Sequence, residues 1–239
     1  MWRSAGWPFQ DLIEIDLLAA GLLARERDGA GRETLRVTDA GVAVLAQTLQ
    51  SNRAARDAHE ALVARVAREM QRAGRVVWRG LSLRARVGGD IPTDAAETSA
   101  EPATDTANWA IAMPDVYSIR HTTREDWVEP VAHEIKVRRA DLLADLRRPA
   151  KGEAYRWLSA ECWYVIREGI AEPQEIPQVY GVLLALPGGG LTVARPAPRR
   201  GLRLPFTVWM ALARAAPERH DDDAQGLLGG ATPDNTAPS

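Results

Sequence analysis

Seven residues, Val131-Ala-His-Glu-Ile-Lys-Val, constrain this chain more than any other stretch. Their apolar members predict a half-buried strand, and strand side chains alternate between faces. Glu134 and Lys136 therefore share one face while Ile135 takes the other. A buried carboxylate or ammonium is costly unless it meets a partner or a metal, so the fold has to bring further charge to that face. The preceding run, Met113-Pro-Asp-Val-Tyr-Ser-Ile, offers it. If the two runs pair as a hairpin across their polar turn, Asp115 lies beside Glu134 and Lys136.

Two carboxylates are hard oxygen ligands of the kind Mg²⁺ takes, together with waters and a substrate phosphate. A neighbouring lysine orients or helps deprotonate a water bound there. The combination suits phosphodiester hydrolysis. The spacing alone is also what a solvated, charged hairpin carries. No CxxC, HExxH, Walker-type or dinucleotide motif offers a competing chemistry, and the four histidines form no cluster in sequence. His133 falls on the face opposite Glu134 and reads as a packed core residue.

Composition sets the outer limits. The chain has 239 residues, 46% of them apolar, enough for one sizeable core and a small second module. A net charge of −2 excludes a bulk polycation but allows a local basic groove. The single cysteine, Cys162, sits in an apolar run and reads as structural rather than nucleophilic. The N-terminal residues lack an apolar signal core, and no run approaches a membrane span. A cytoplasmic protein with no membrane partner is the expectation.

The pattern along the chain predicts a helix over 8–21, a Gly-rich hairpin over 22–37 and a helix opening at Thr38 as N-cap. These elements resemble the second half of a winged-helix module, over residues 1–50. Arg25, Arg27, Arg32 and Arg36 of its wing are either phosphate contacts or ordinary solubilising charges. An amphipathic helix follows over 53–73, with Ala58, Leu62, Val66 and Met70 on one stripe. Strands are expected over 75–87, 109–119 and 127–137, with Pro114 forcing either a bulge, a device that would re-aim Asp115, or an edge position. A helical stretch over 138–160, bent near Pro149, carries the densest basic cluster: Arg138, Arg139, Arg147, Arg148, Lys151 and Arg156. It reads either as a phosphate clamp or as a solvated face balanced by Asp141, Asp145 and Glu153. A strand over 161–167, a hairpin over 179–194 and a helix over 204–215 complete the domain. Residues 88–108 read as a disordered insertion and 217–239 as a disordered acidic tail.

From about Asp57 to Arg199 the chain resembles the PD-(D/E)xK nuclease superfamily, and most closely the MmcB-like DNA repair proteins. The resemblance is carried by Pro114-Asp115, by Glu134-Ile-Lys-Val-Arg-Arg-Ala-Asp-Leu-Leu-Ala-Asp-Leu, by Lys151 and Tyr155, by Cys162-Trp-Tyr-Val-Ile and by Ile176-Pro-Gln-Val-Tyr-Gly-Val-Leu-Leu. It implies an α/β, restriction endonuclease-like αβββαβ core over 51–216 and a divalent ion, Mg²⁺ or Mn²⁺. Asp115 and Glu134 would be ligands, with the Ile135 carbonyl facing the ion and Lys136 as catalytic lysine. Glu60, on the preceding helix, corresponds to a further acidic ligand, although Glu69 lies on the same helix and Glu60 also reads as solvated. Arg138, Arg139, Arg147, Arg148, Lys151 and Tyr155 would hold DNA. The implied activity is metal-dependent DNA hydrolysis in repair. The alternative is a DNA-binding protein whose nuclease-like domain is a non-catalytic scaffold.

Overall fold

The computed structural model describes residues 4–88 and 108–219, so the expected insertion and most of the expected tail lie outside the described residues. The chain divides into two compact units, Met1–Asp57 and Ala58–Ser239. Among the described residues the architecture is mixed α/β, with five α-helices and a mixed six-stranded sheet. Among the described residues no helix is long and apolar enough to cross a membrane.

In the first unit β1 (Ser4–Gly6), β3 (Glu33–Val37) and β2 (Leu23–Arg27) form an antiparallel sheet in that order. The expected hairpin is present. Its turn is closed by Asp28, whose carboxylate accepts from the backbone of Ala30 and Arg32. The first helix, α1, is shorter than the apolar run suggested, Leu12–Ala19, because Asp11 caps it. Its one buried residue is Glu14, which binds the backbone of Phe9 and Gln10 and the side chain of Arg25. The helix α2 spans Asp39–Arg72 without interruption, where the sequence suggested two helices. Thr38 caps it through Gly41, and no Gly or Pro follows Gly41 before its end.

The second unit is built on the six-stranded sheet β11-β10-β9-β8-β7-β4. Its strands are β4 (Arg75–Arg79), β7 (Val116–Arg120), β8 (Val131–Lys136), β9 (Glu161–Arg167), β10 (Gly181–Ala185) and β11 (Leu191–Arg195). The strands β8, β9 and β10 are mutually parallel, and the other pairings are antiparallel. One face packs Val77, Val116, Ile135, Val165 and Leu183 against Leu62, Val63, Val66 and Ala67 of α2. The other packs Trp78, Tyr117, Ala132, Tyr164 and Ile166 against α3 (Arg139–Leu146), α4 (Pro149–Leu158) and α5 (Phe206–Arg214).

Two expected strands turn out to be four. The run over 75–87 breaks at Gly80, whose φ of 58° ends β4. The run over 109–119 breaks at Pro114, which has no N–H to give a ladder. The freed segments, β5 (Leu83–Val87) and β6 (Asn108–Ala112), pair with each other as a separate antiparallel ribbon. The helical stretch also divides, into α3 and α4, with Pro149 at the start of α4 where its missing N–H costs nothing.

Gly80 also positions Asp115, because its N–H holds the Asp115 carbonyl at 3.2 Å. A Cβ at Gly80 would meet no atom within 4 Å, so a substitution costs backbone conformation alone. Gly80→Ala should lower unfolding free energy by about 1–2 kcal/mol, and Gly80→Asn by less, as read from urea denaturation midpoints.

Candidate active site

The parallel register of β8 and β9 sets Glu134 opposite Tyr164 and Lys136 opposite Ile166. Glu134 is 5% exposed, so its carboxylate must be satisfied by protein groups. Oε1 accepts from Lys136 Nζ at 2.5 Å and from Lys151 Nζ at 2.6 Å. Oε2 lies 2.8 Å from the Tyr155 hydroxyl. That hydroxyl is also 2.9 Å from the Met113 carbonyl, and its one proton goes to the charged and therefore stronger acceptor.

A second buried carboxylate completes the arrangement. Asp145, in the last turn of α3, receives Lys151 at 2.6 Å on Oδ1 and the Tyr164 hydroxyl at 2.8 Å on Oδ2, with Lys136 at 3.8 Å. Two carboxylates and two ammoniums balance in charge, with two tyrosine hydroxyls filling the remaining positions. Burial raises the Asp145 carboxyl, but its hydrogen bond from Lys151 and the charge of Lys136 outweigh this and hold it below the usual aspartate range. Burial lowers the Lys151 ammonium, and the Glu134 and Asp145 carboxylates more than reverse that, keeping it protonated beyond its ordinary range. Burial, with the carboxylates adding to it, pushes both tyrosine hydroxyls up, so they act as donors.

Asp115 sits in the bend before β7, at the end of the sheet. Its Oδ2 accepts the Ile135 N–H at 2.7 Å, which ties it to the residue between Glu134 and Lys136. A strand residue directs its N–H and C=O to the same side, so the Ile135 carbonyl faces the Asp115 side as well. From α2, His59 Nε2 approaches the same Oδ2 at 3.4 Å. The bond to Asp115 is the main reason His59 is held above its ordinary pKa, against the opposing effect of burial. A cavity of about 420 Å³ opens here, lined by His59, Glu60, Val63, Arg79, Gly80, Asp115 and Glu218.

The residues singled out from sequence are thus distributed unevenly. Glu134, Lys136, Lys151 and Tyr155 form one cluster, and Asp115 joins it through the Ile135 backbone. Glu60 opens on the Asp115 cavity, exposed, with His59 Nδ1 at 3.5 Å. Lys151 and Tyr155, expected on phosphate, turn inward to the carboxylates. Arg139 is bound to Glu175 at 2.7 Å and to the Ile170 carbonyl. Arg138 has interactions of its own, whereas Arg147 and Arg148 are exposed and carry no ion pair among the described residues. The wing arginines are each held by a carboxylate: Arg25 by Glu14, Arg27 by Glu33, Arg32 by Asp28 and Arg36 by Glu26. His133 is a core residue as expected, with burial pushing its pKa down to about 3.

Sequence reasoning missed Asp145, Tyr164 and His59 as members of the site. Asp145 lies three residues beyond the buried Leu142, so it falls on the inward stripe of α3, where an aspartate signals a buried partner. Tyr164 alternates with Cys162 and Ile166 on one strand face. His59 lies one helical turn before the buried Val63, beside the core stripe of α2. Among the described residues no group of three or more His, Cys, Asp and Glu side chains is arranged to hold a metal ion. The chain matches no protein-family model, no curated protein and no solved structure.

The network makes a stability prediction. Asp145 titrates lower in the folded chain than in the unfolded one, so its contribution is present above the unfolded value of 3.8 and is lost as pH falls through the folded value. Lys151 is raised, so its share is complete below 10.5 and fades as pH rises through the folded value. The contribution of these two groups should be flat between these limits, while buried His133, neutral in the fold, makes the whole chain less stable as pH falls below 6.5. Lys151→Met, which strands two buried carboxylates on one ammonium, should cost about 3–5 kcal/mol, measured by urea unfolding at neutral pH.

Proposed function

We propose that the chain is a divalent-metal-dependent deoxyribonuclease acting in DNA repair. The observation that carries this reading is the 2.7 Å bond from the Ile135 N–H to Asp115, which brings a second carboxylate to the backbone of the Glu134-Ile-Lys136 strand. With the β5–β6 ribbon and α3 set aside, the element order α2-β4-β7-β8-α4-β9 and its antiparallel, antiparallel and parallel pairings support the reading of a restriction endonuclease-like αβββαβ core.

The donor set suits Mg²⁺ or Mn²⁺: Asp115, Glu134 and the Ile135 carbonyl are hard oxygens, and such ions keep several waters of their own. Both side-chain contacts of Asp115 fall on Oδ2. The Glu134 contacts come from two ammoniums and one hydroxyl, of which an ion bound to Glu134 would displace Lys151. Glu60 opens on the same cavity as Asp115 and supplies a further carboxylate on that side. The bound ion would offset phosphate charge and activate water. Lys136 Nζ, positioned by Glu134, orients the attacking water and offsets the charge that develops on the phosphate. Tyr155 and Lys151 fix the Glu134 carboxylate, and Asp145 fixes Lys151. Arg147 and Arg148 are the exposed cations beside this cluster, available to DNA phosphates.

A non-catalytic DNA-binding scaffold is the second reading. It is favoured by the occupation of both Glu134 oxygens by protein donors. Single-turnover cleavage of a labelled DNA panel separates the two. The wild type should cut with Mg²⁺ or Mn²⁺ and not with EDTA. Lys136→Ala should lose about 10²–10⁴-fold in rate while binding DNA normally in Ca²⁺. Asp115→Asn should lose metal binding and cleavage together. Wild-type cleavage by Lys136→Ala, or no metal-dependent cleavage at all, overturns the nuclease reading.

A further inference from the structure

The ribbon of β5 and β6 lies outside the central sheet's ladder and contributes no residue to the Glu134–Asp115 site. Its register pairs Leu83 with Ala112 and Ala85 with Ala110 on one face, of which Leu83, Ala85 and Ala112 pack into the core with α4. The other face pairs Arg84 with Ile111 and Arg86 with Trp109. Arg84 and Arg86 are exposed, Ile111 is 72% exposed and Trp109 is 40% exposed. A T-shaped contact with Trp157 of α4, centroids 6.0 Å apart, fixes the orientation of the Trp109 indole. The Arg84 guanidinium lies over that ring, 5.3 Å from its centroid, and is the group that a stacking base would displace toward the phosphates. Among the described residues no carboxylate pairs with Arg84 or Arg86, in contrast to the four arginines of the wing.

We propose that this ribbon face binds single-stranded nucleic acid, with an unpaired base stacked on Trp109 and neighbouring phosphates on Arg84 and Arg86. An oriented, partly exposed indole flanked by arginines that meet no carboxylate among the described residues is the combination that single-strand binding uses, since every base has a face to stack and every nucleotide a phosphate. A duplex keeps its base faces stacked inside and has none to offer. Charge complementarity selects a polyanion over an apolar partner, and the indole selects an unstacked base over plain phosphate. The ribbon also leads directly to the proposed cleavage centre. From Trp109 the chain reaches Asp115 within at most about 20 Å, less than a footprint of several nucleotides on one such platform. The inference rests on the nuclease reading for this adjacency, and it makes an unpaired strand, or the unpaired part of a branched one, the substrate.

The test is equilibrium binding of the full chain to fluorescent oligothymidylate and to a blunt duplex of equal length, in EDTA so that nothing is cut. The single strand should bind more tightly. Trp109→Ala should weaken it about 5- to 100-fold, and Trp109→Phe, which keeps a stacking ring, should restore most of the loss. Replacing Arg84 and Arg86 together with Ala should reduce the log–log salt slope by about 1.4. Equal affinity for the two DNAs with no effect of Trp109→Ala overturns the proposal, as does a Phe variant no better than Ala. Single-strand binding that depends on Trp109 without cleavage in Mg²⁺ supports the ribbon and defeats the nuclease reading. Cleavage with binding indifferent to Trp109 does the reverse.

Discussion

Glu134 is a carboxylate in the middle of a buried strand, and most of the second unit is arranged around satisfying it. One acid at that depth requires positive charge on the same face. Lys136 provides it from within the strand and Lys151 from the start of α4. Lys151 is itself half-buried, and it draws in Asp145 from the end of α3. The two helices are thereby fixed against β8 and β9 by ionic contacts as well as by Leu142, Tyr155 and Leu158. Removing any single charge leaves an odd number buried, which is far more costly than never having built the network. A buried, balanced cluster of this kind contributes little net stability compared with an apolar core of the same volume. Under the proposed function, its presence is accounted for by chemistry that needs charge at that place.

Asp115 couples this cluster to the other side of the sheet. It stands where β7 begins, held by Gly80 through its carbonyl and by Ile135 through its carboxylate, and His59 reaches it from α2. The breaks at Gly80 and Pro114 thus do two things at once. They release the β5–β6 ribbon from the ladder, and they leave Asp115 at an open strand end beside a cavity. A continuous strand through either position would have carried the ladder across this end of the sheet and sent the ribbon's residues into it.

Much of this was legible in the sequence because it rests on short-range rules. The alternation of 131–137 put Glu134 and Lys136 on one face, the apolar stripe from Ala58 to Met70 identified the helix beneath, and Cys162-Trp-Tyr-Val-Ile marked β9 within its true bounds. The turn chemistry was visible but misjudged. Pro114 was expected to bulge one strand or to set it at an edge and instead separates two, because a missing N–H ends a ladder as readily as it bulges one. Lys151 and Tyr155 were read as facing phosphate, and in the fold both hydrogen-bond Glu134, since helical spacing says which residues share a face and not which way that face looks. Asp145 and His59 were overlooked for a related reason. Their partners lie on other elements, and only the three-dimensional packing of α3 on β9 and of α2 on β7 brings them together.

The nuclease reading requires Asp115 and Glu134 to share one divalent ion. A crystal of the chain grown with Mn²⁺ and recorded at an anomalous wavelength reads this directly. The expected result is a peak bound by one oxygen from each of the two carboxylates, with Lys136 beside it and Lys151 shifted off Glu134. Mn²⁺ bound elsewhere, or no peak at saturating Mn²⁺ with the Glu134–Lys151 contact intact, would contradict that reading.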